Sequence, residues 1–217
     1  MEDSVAWEVS LPSRHEDSFG TPRRATLAIL AEGSGEEDIS VPVAVGRALR
    51  ARGKDGKLRA VSRSELLDTL THLQKECAKQ RMLFLLERRD MSREEVRKRL
   101  ARDGYPRFAQ DHALEVGERC GLLDDTLFAE RFARSKSLGG WGVHRIALEL
   151  GRRGVDVGSL AGWPDDFLDM DDELERAVAI AERKHVKEPN ARAKLVRFLV
   201  GRGFSYDVAM RASRTTL

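Results

Sequence analysis

The sequence predicts a mostly α-helical protein in which units of two or three short helices repeat in tandem, forming an elongated curved array behind a small N-terminal β-containing segment. Three observations lead there. Of 217 residues, 41% are apolar and 34% charged but only 6% aromatic, a balance typical of surface helices rather than strands. Ser62-Arg-Ser-Glu65 and Ser92-Arg-Glu-Glu95 are both capping boxes followed by apolar residues at helical spacing. One pattern, apolar-x3-Leu-x3-Gly-apolar, recurs three times at intervals of about fifty residues.

In chain order, residues 1–24 mix Pro12, Gly20 and Pro22 with serines and charges at no period, and read as a flexible lead-in. Ala25–Leu30 is strand-like and runs into the turn formers Glu-Gly-Ser-Gly-Glu-Glu-Asp. Ile39, Val41, Val43 and Val45 alternate as in a strand, while Val45, Ala48 and Leu49 equally fit a short helix closed by Gly53. Leu58 and Val61 suggest one more short strand, so the β-containing segment spans 25–61.

A first helical unit follows over 62–140. Leu66, Leu70, Leu73 and Cys77 make the apolar stripe of its opening helix, and Met82, Leu83, Leu85 and Leu86 carry the pattern to Arg88-Arg89, with room for a break between. Ser92 opens a helix with Val96 and Leu100 inward and Gly104 as its left-handed stop. Pro106 begins another, with Ala109, Ala113 and Val116 inward and Gly121 closing it. Asp124 or Asp125 caps a further helix in which Phe128 and Phe132 stand one turn apart. That doubled acid suits a helix N-terminus better than a metal or acid pair.

The recurring pattern comprises Val96, Leu100, Gly104 and Tyr105; Ile146, Leu150, Gly154 and Val155; and Leu195, Leu199, Gly203 and Phe204. Each copy gives two inward apolar residues a turn apart, a glycine free to adopt the left-handed cap, and an apolar residue folding back. The second unit, 141–188, includes Trp163-Pro164 and the acidic stretch Asp165 to Glu173, read as a solvated linker and first helical turn before Leu174, Ala177, Val178 and Ala181. The third, 189–217, opens with Asn190 as N-cap after Pro189. Ser205 then caps a last helix through Ala212, and the chain stops before a third helix, so this unit is truncated.

Chemistry-bearing motifs are scarce. Cys77 and Cys120 are too few for a disulfide framework, which suits a reducing cytoplasm. The start Met-Glu-Asp-Ser-Val has no basic or apolar leader, and no run approaches the ~18 apolar residues of a membrane span, so a soluble cytoplasmic protein with no membrane partner is expected. The five histidines lack metal-ligand spacing, and Gly139-Gly-Trp-Gly142 lacks the Lys-Ser/Thr of a phosphate loop; it reads as a helix–helix joint with Trp141 packing. No nucleophile elbow or Cys–His pair is present, so neither enzyme nor cofactor is expected. Net charge is only +2, yet bases gather beside every signature helix: Arg88, Arg89, Arg97, Lys98 and Arg99; Arg145, Arg152 and Arg153; and Lys184, Lys187, Arg192, Lys194, Arg197 and Arg202. In a superhelical array they can line one groove fit for a phosphate backbone or an acidic protein; the alternative is solvated faces paired with nearby Glu.

Leu85-Leu86-Glu-Arg88-Arg89-Asp-Met-Ser92, with Glu95-Val96-x3-Leu100-x3-Gly104, then Gly121-Leu-Leu-Asp124-Asp125-x2-Phe128-Ala129, then Gly142-x2-Arg145-Ile146-x3-Leu150-x3-Gly154, resembles the RecX regulatory proteins in order and spacing, over roughly residues 62–213. The resemblance implies a bacterial cytoplasmic protein of tandem three-helix units; a non-catalytic regulator acting as a monomer is expected. The resemblance also implies binding to the RecA recombinase filament on single-stranded DNA, restraining its ATPase, strand-exchange and co-protease activities. The contact charges expected are Arg88, Arg89, Arg97, Lys98, Arg145, Arg152 and Arg153. The competing reading is a helical DNA-binding module without a recombinase partner, using the Ser92–Val116 helices as a duplex reader.

Overall fold

A computed structural model describes residues 5–12, 23–31, 35–54, 62–170, 172–184, 186 and 190–216. Within them lie three strands, β1 (Ala6–Ser10), β2 (Arg24–Ala31) and β3 (Gly35–Pro42), then nine α-helices. These are α1 (Val43–Lys54), α2 (Arg63–Leu86), α3 (Arg93–Asp103), α4 (Arg107–Arg119), α5 (Asp125–Leu138), α6 (Val143–Arg152), α7 (Glu173–Glu182), α8 (Ala191–Gly201) and α9 (Tyr206–Thr216). The fold is mostly α with one small antiparallel sheet. It divides into two compact units, Met1–Leu123 and Asp124–Leu217.

In the first unit the sheet order is β1-β2-β3, with Trp7 opposite Ile29 and Leu27 opposite Ile39. Alternation puts Val9, Leu27, Ile29 and Val41 on one face, where they pack against Val45 and Leu49 of α1. The strand-or-helix ambiguity at residues 39–49 has a simple resolution: the chain pairs as a strand through Pro42 and turns helical at Val43. The unstructured lead-in expected for 1–24 is corrected within its first half, because Ala6–Ser10 is a paired strand whose Trp7 ring lies over Gly53. That strand's Glu8 and Ser10 are exposed and break its apolar run, which is why no strand period stands out there. The strand expected at Leu58 and Val61 falls outside the described residues.

The sheet's core continues into α2, α3 and α4 through Leu66, Leu70, Met82, Leu100 and Leu114. Both capping boxes form as the sequence requires. The Glu65 amide donates to Ser62 Oγ at 3.3 Å and the Ser62 amide to Glu65 Oε2 at 2.9 Å; for Ser92 and Glu95 both distances are 3.1 Å. Helix α2 runs its 24 residues without a break. On α4 the buried stripe is Ala109, Gln110, Ala113, Leu114 and Gly117, and Val116 is only half-buried. The stripe is turned because α2 approaches at Gly117, where an added Cβ would lie 2.8 Å from both Met82 Sδ and Leu123 Cδ1. Burial raises the thiol of Cys77 and the hydroxyl of Tyr105 above their ordinary ranges, and that hydroxyl donates to the Cys77 carbonyl at 3.3 Å.

The second unit has two cores. Phe128, Ala129, Ile146, Leu150, Phe167 and Leu168 fill the first, between α5, α6 and the turns that follow; Ala177, Leu195, Leu199, Phe204 and Ala209 fill the second, between α7, α8 and α9. Two expected boundaries therefore move. Helix α5, expected in the first repeat over 62–140, packs with α6; helix α7, expected in the second over 141–188, packs with α8 and α9. The last repeat is thus a complete set of three helices rather than a truncated one. Asp124, not Asp125, caps α5, its Oδ1 accepting from the amides of Thr126 and Leu127. Asn190 occupies the N-cap position of α8 with φ 69° and no side-chain cap bond. The acidic stretch is only partly solvated, since Phe167, Leu168 and Glu173 within it are buried.

Candidate functional site

The three signature copies adopt one geometry. Gly104, Gly154 and Gly203 have φ of 92°, 84° and 93°, values that L side chains rarely adopt. The amide after each glycine donates five residues back: Tyr105 to the Leu100 carbonyl, Val155 to that of Leu150 and Phe204 to that of Leu199, at 3.0–3.2 Å. The glycine amides donate three residues back, to Ala101, Gly151 and Val200. Both bonds of the Schellman cap are present each time, with the apolar residue after the glycine buried.

Two of these turns are also docking points. Gly104 O accepts from Arg24 Nη1 at 2.9 Å, tying β2 to the end of α3. At the third turn, the start of α6 is capped by another repeat: the Gly142 amide donates to Arg202 O at 2.9 Å, that of His144 to Gly203 O at 3.1 Å, and that of Val143 to Oε1 of buried Glu173 at 3.2 Å. Helix N-termini leave such amides without intrahelical partners. Here α7 and the α8–α9 turn supply them, which makes Gly139–Gly142 a joint between repeats.

The seven charges singled out in the sequence lie on or beside α2, α3 and α6, and their surroundings divide them. Arg89 pairs with Glu95 at 3.2 Å, Lys98 with Glu94 at 3.9 Å, and Arg152 and Arg153 both with Glu149 at 3.4 and 3.5 Å. Arg97, only 17% exposed, lies between Glu94 and Asp111. Arg88 and Arg145 have no acidic partner among the described residues and sit on aromatic rings instead. The Arg88 guanidinium is 4.4 Å from the Phe84 centroid and that of Arg145 is 4.1 Å from the Trp141 centroid.

Cations on rings recur in every repeat. Arg81 joins Arg88 over Phe84; Lys136 and Arg153 lie over Phe132 at 5.4 and 4.9 Å, and Lys136 also over Trp141; Lys184 and Arg202 lie over Phe198 at 5.0 and 5.1 Å. Proteins commonly show about one such pair per 70–80 residues, so their density here is a feature of the repeat and not scatter. A ring fixes a cation's position without neutralising it, whereas a carboxylate neutralises it. Arg88, Lys136, Arg145, Lys184 and Arg202 are ring-seated cations with no acidic partner among the described residues. Reasoning from sequence alone misses Lys136 and gives Lys184 and Arg202 no special weight. A signal was available: the residue before the signature glycine is Arg153 in one copy and Arg202 in another, and both sit on rings.

Among the described residues no three His, Cys, Asp or Glu side chains gather as a metal-binding group, and no helix is long and apolar enough to cross a membrane. Cys77 is half-buried and Cys120 exposed, both as free thiols.

Comparison with known proteins matches these repeats one by one. The family models for the first, second and third three-helix domains of RecX match residues 78–115, 124–157 and 171–212. The chain is 35% identical over 134 residues to the regulatory protein RecX of Pseudomonas entomophila strain L48, covering 58% of this chain and 83% of that protein. With the RecX of Chromohalobacter salexigens it shares 37% identity over 134 residues, 59% of this chain and 85% of the other. The crystal structure of RecX from Lactobacillus salivarius has the same fold at TM-score 0.58 and 21% identity, covering 66% of this chain and 96% of that one.

Proposed function

The chain belongs to the RecX family of regulatory proteins, and from that premise we propose that it binds the RecA recombinase filament on single-stranded DNA and restrains its ATPase, strand-exchange and co-protease activities. It acts by contact, as a cytoplasmic monomer without catalysis or cofactor. The observation that carries this reading is the ordered match of all three three-helix domains to the family. The ring-seated cations support it, because a protein that binds a filament of nucleic acid and protein gains most from charges its own acids have not neutralised. Within the seven expected contact residues, Arg88 and Arg145 carry the most weight; the carboxylate-paired Arg89, Arg97, Lys98, Arg152 and Arg153 carry less.

The rival duplex reader fares worse on charge. Its candidate recognition helix, α4, presents Asp111, Glu115 and Glu118 against Arg107 and Arg119, and Arg107 is tied to Asp111 at 3.1 Å. A helix entering the major groove meets phosphates on both sides and needs the opposite balance. The test is RecA ATPase on single-stranded DNA with stoichiometric amounts of this protein. A fall in ATPase rate is expected, and an unchanged rate refutes the proposal.

A further inference from the structure

Ile180 at the end of α7, Phe198 on α8 and Leu138 at the end of α5 floor a cavity of about 370 Å³, within the size range of ligand pockets. Arg183, Lys184 and Arg202 stand around it, and among the described residues no acid lines it. None of the three has an acidic partner among the described residues. Arg202 is half-buried and held from two sides, donating to Gly140 O at 3.4 Å and lying over the Phe198 ring at 5.1 Å. Neither neighbour neutralises it, so the guanidinium is positioned for an anion that no described residue supplies. Cations after a helix end commonly answer the helix dipole, which accounts for Arg183 and Lys184 beside α7. It accounts equally for Arg202, the C-cap of α8, but not for the convergence of cations from two helix ends on one cavity with an apolar floor. Leu138 is 82% exposed, a cost in water for a large apolar side chain that packing against a flat apolar group would recover.

We infer that this cavity takes one nucleotide of a nucleic-acid single strand, its phosphate between Arg183, Lys184 and Arg202 and its base against Leu138, Ile180 and Phe198. Single-strand binding combines charges that track the backbone with apolar or aromatic surfaces that take bases, and guanidinium planes themselves stack on bases. A duplex does not fit, since its bases are already stacked on one another. This site goes beyond the proposed regulation of RecA, because it needs no recombinase present.

The test is fluorescence anisotropy of a short 5′-labelled oligothymidylate with the full-length chain and no recombinase. Arg183→Glu/Lys184→Glu, at two exposed positions, is expected to weaken binding about tenfold or more and to lower the slope of log K against log salt by ~0.7 for each phosphate no longer neutralised. Leu138→Ser is expected to weaken binding with the salt slope unchanged, separating the base-stacking surface from the charge. Arg211→Glu, on α9 and paired with Asp207, makes the same kind of charge change elsewhere and is expected to shift binding less than about twofold. Circular dichroism checks that each variant folds. Undiminished binding by Arg183→Glu/Lys184→Glu overturns the proposal, as does a polyglutamate peptide competing as well as the oligonucleotide. Thymidine monophosphate competing as well as the strand would assign the cavity to a free nucleotide and overturn the strand reading. None of these outcomes bears on the ATPase test above, so the two readings fail separately.

Discussion

Replacing Gly142 by alanine probes the joint at the start of α6. Gly142 has φ −83° and ψ 164°, a conformation alanine adopts freely, so backbone strain contributes nothing. The added Cβ would run into the backbone of Gly203 and Phe204, which cannot swing aside as a side chain can. The turn must withdraw, breaking the bonds from the Gly142 and His144 amides to Arg202 O and Gly203 O. At about 1 kcal/mol per hydrogen bond this costs about 2 kcal/mol. Partial exposure of Phe204, now 1% accessible, adds about 1 kcal/mol, against the ~1.5–3 kcal/mol of fully burying such a side chain. Two other glycines calibrate the result. At Gly121, with φ 67° and nothing within 4 Å of an added Cβ, only left-handed strain of about 1–2 kcal/mol applies. At Gly151, helical and equally open, alanine stabilises by roughly 0.5–1 kcal/mol. Urea unfolding followed by circular dichroism should rank Gly151→Ala above the parent, then Gly121→Ala, then Gly142→Ala. A Gly142→Ala chain within about 0.5 kcal/mol of the parent would refute the close approach of these turns.

Glu173→Ala leaves the amide of half-buried Val143 without its acceptor and should cost about 1 kcal/mol or more in the same assay, with Glu173→Gln costing less because its amide oxygen still accepts. Burial holds the Tyr105 hydroxyl protonated beyond its ordinary 10.0, so the unfolded chain releases that proton first. Stability from this group is thus fully present below about pH 10 and falls as pH rises above it; the parent's advantage over Tyr105→Phe should shrink there, and a constant difference up to about pH 11 would count against the burial. Arg88→Glu/Arg145→Glu should raise the protein concentration needed for half-inhibition of RecA ATPase about tenfold, ~1.4 kcal/mol, whereas Arg152→Glu, whose charge Glu149 already offsets, should change it far less. Equal effects would remove the distinction between ring-seated and carboxylate-paired cations. A thiol reagent at about pH 8 should label exposed Cys120 before Cys77, whose thiol is half-buried and raised by burial.

Local chemistry makes much of this fold readable. Both capping boxes, the glycine stop after α3 and its two counterparts follow from a few residues each, and all form as those residues require. Grouping is not readable in the same way. Spacing alone assigns helices α5 and α7 to the repeats before them, because an evenly spaced signature does not reveal which first helix belongs to it; packing around Phe128 and Ala177 decides that. Strand β1 is hidden because two of its exposed residues are polar and its partner follows only after a long connection. At the site, sequence shows where the bases cluster but not which are neutralised. Glu149 beside Arg152 is visible at helical spacing, whereas Asp111 beside Arg97 needs α3 packed against α4, and Arg145 over Trp141 needs the bend at Gly142.

The central claim, that this chain regulates by binding the recombinase filament, is tested most directly by co-sedimentation with RecA assembled on single-stranded DNA. The account predicts that the chain pellets with filaments at near-stoichiometric amounts and that Arg88→Glu/Arg145→Glu leaves most of it in the supernatant. A parent chain that stays in the supernatant with assembled filaments would contradict it.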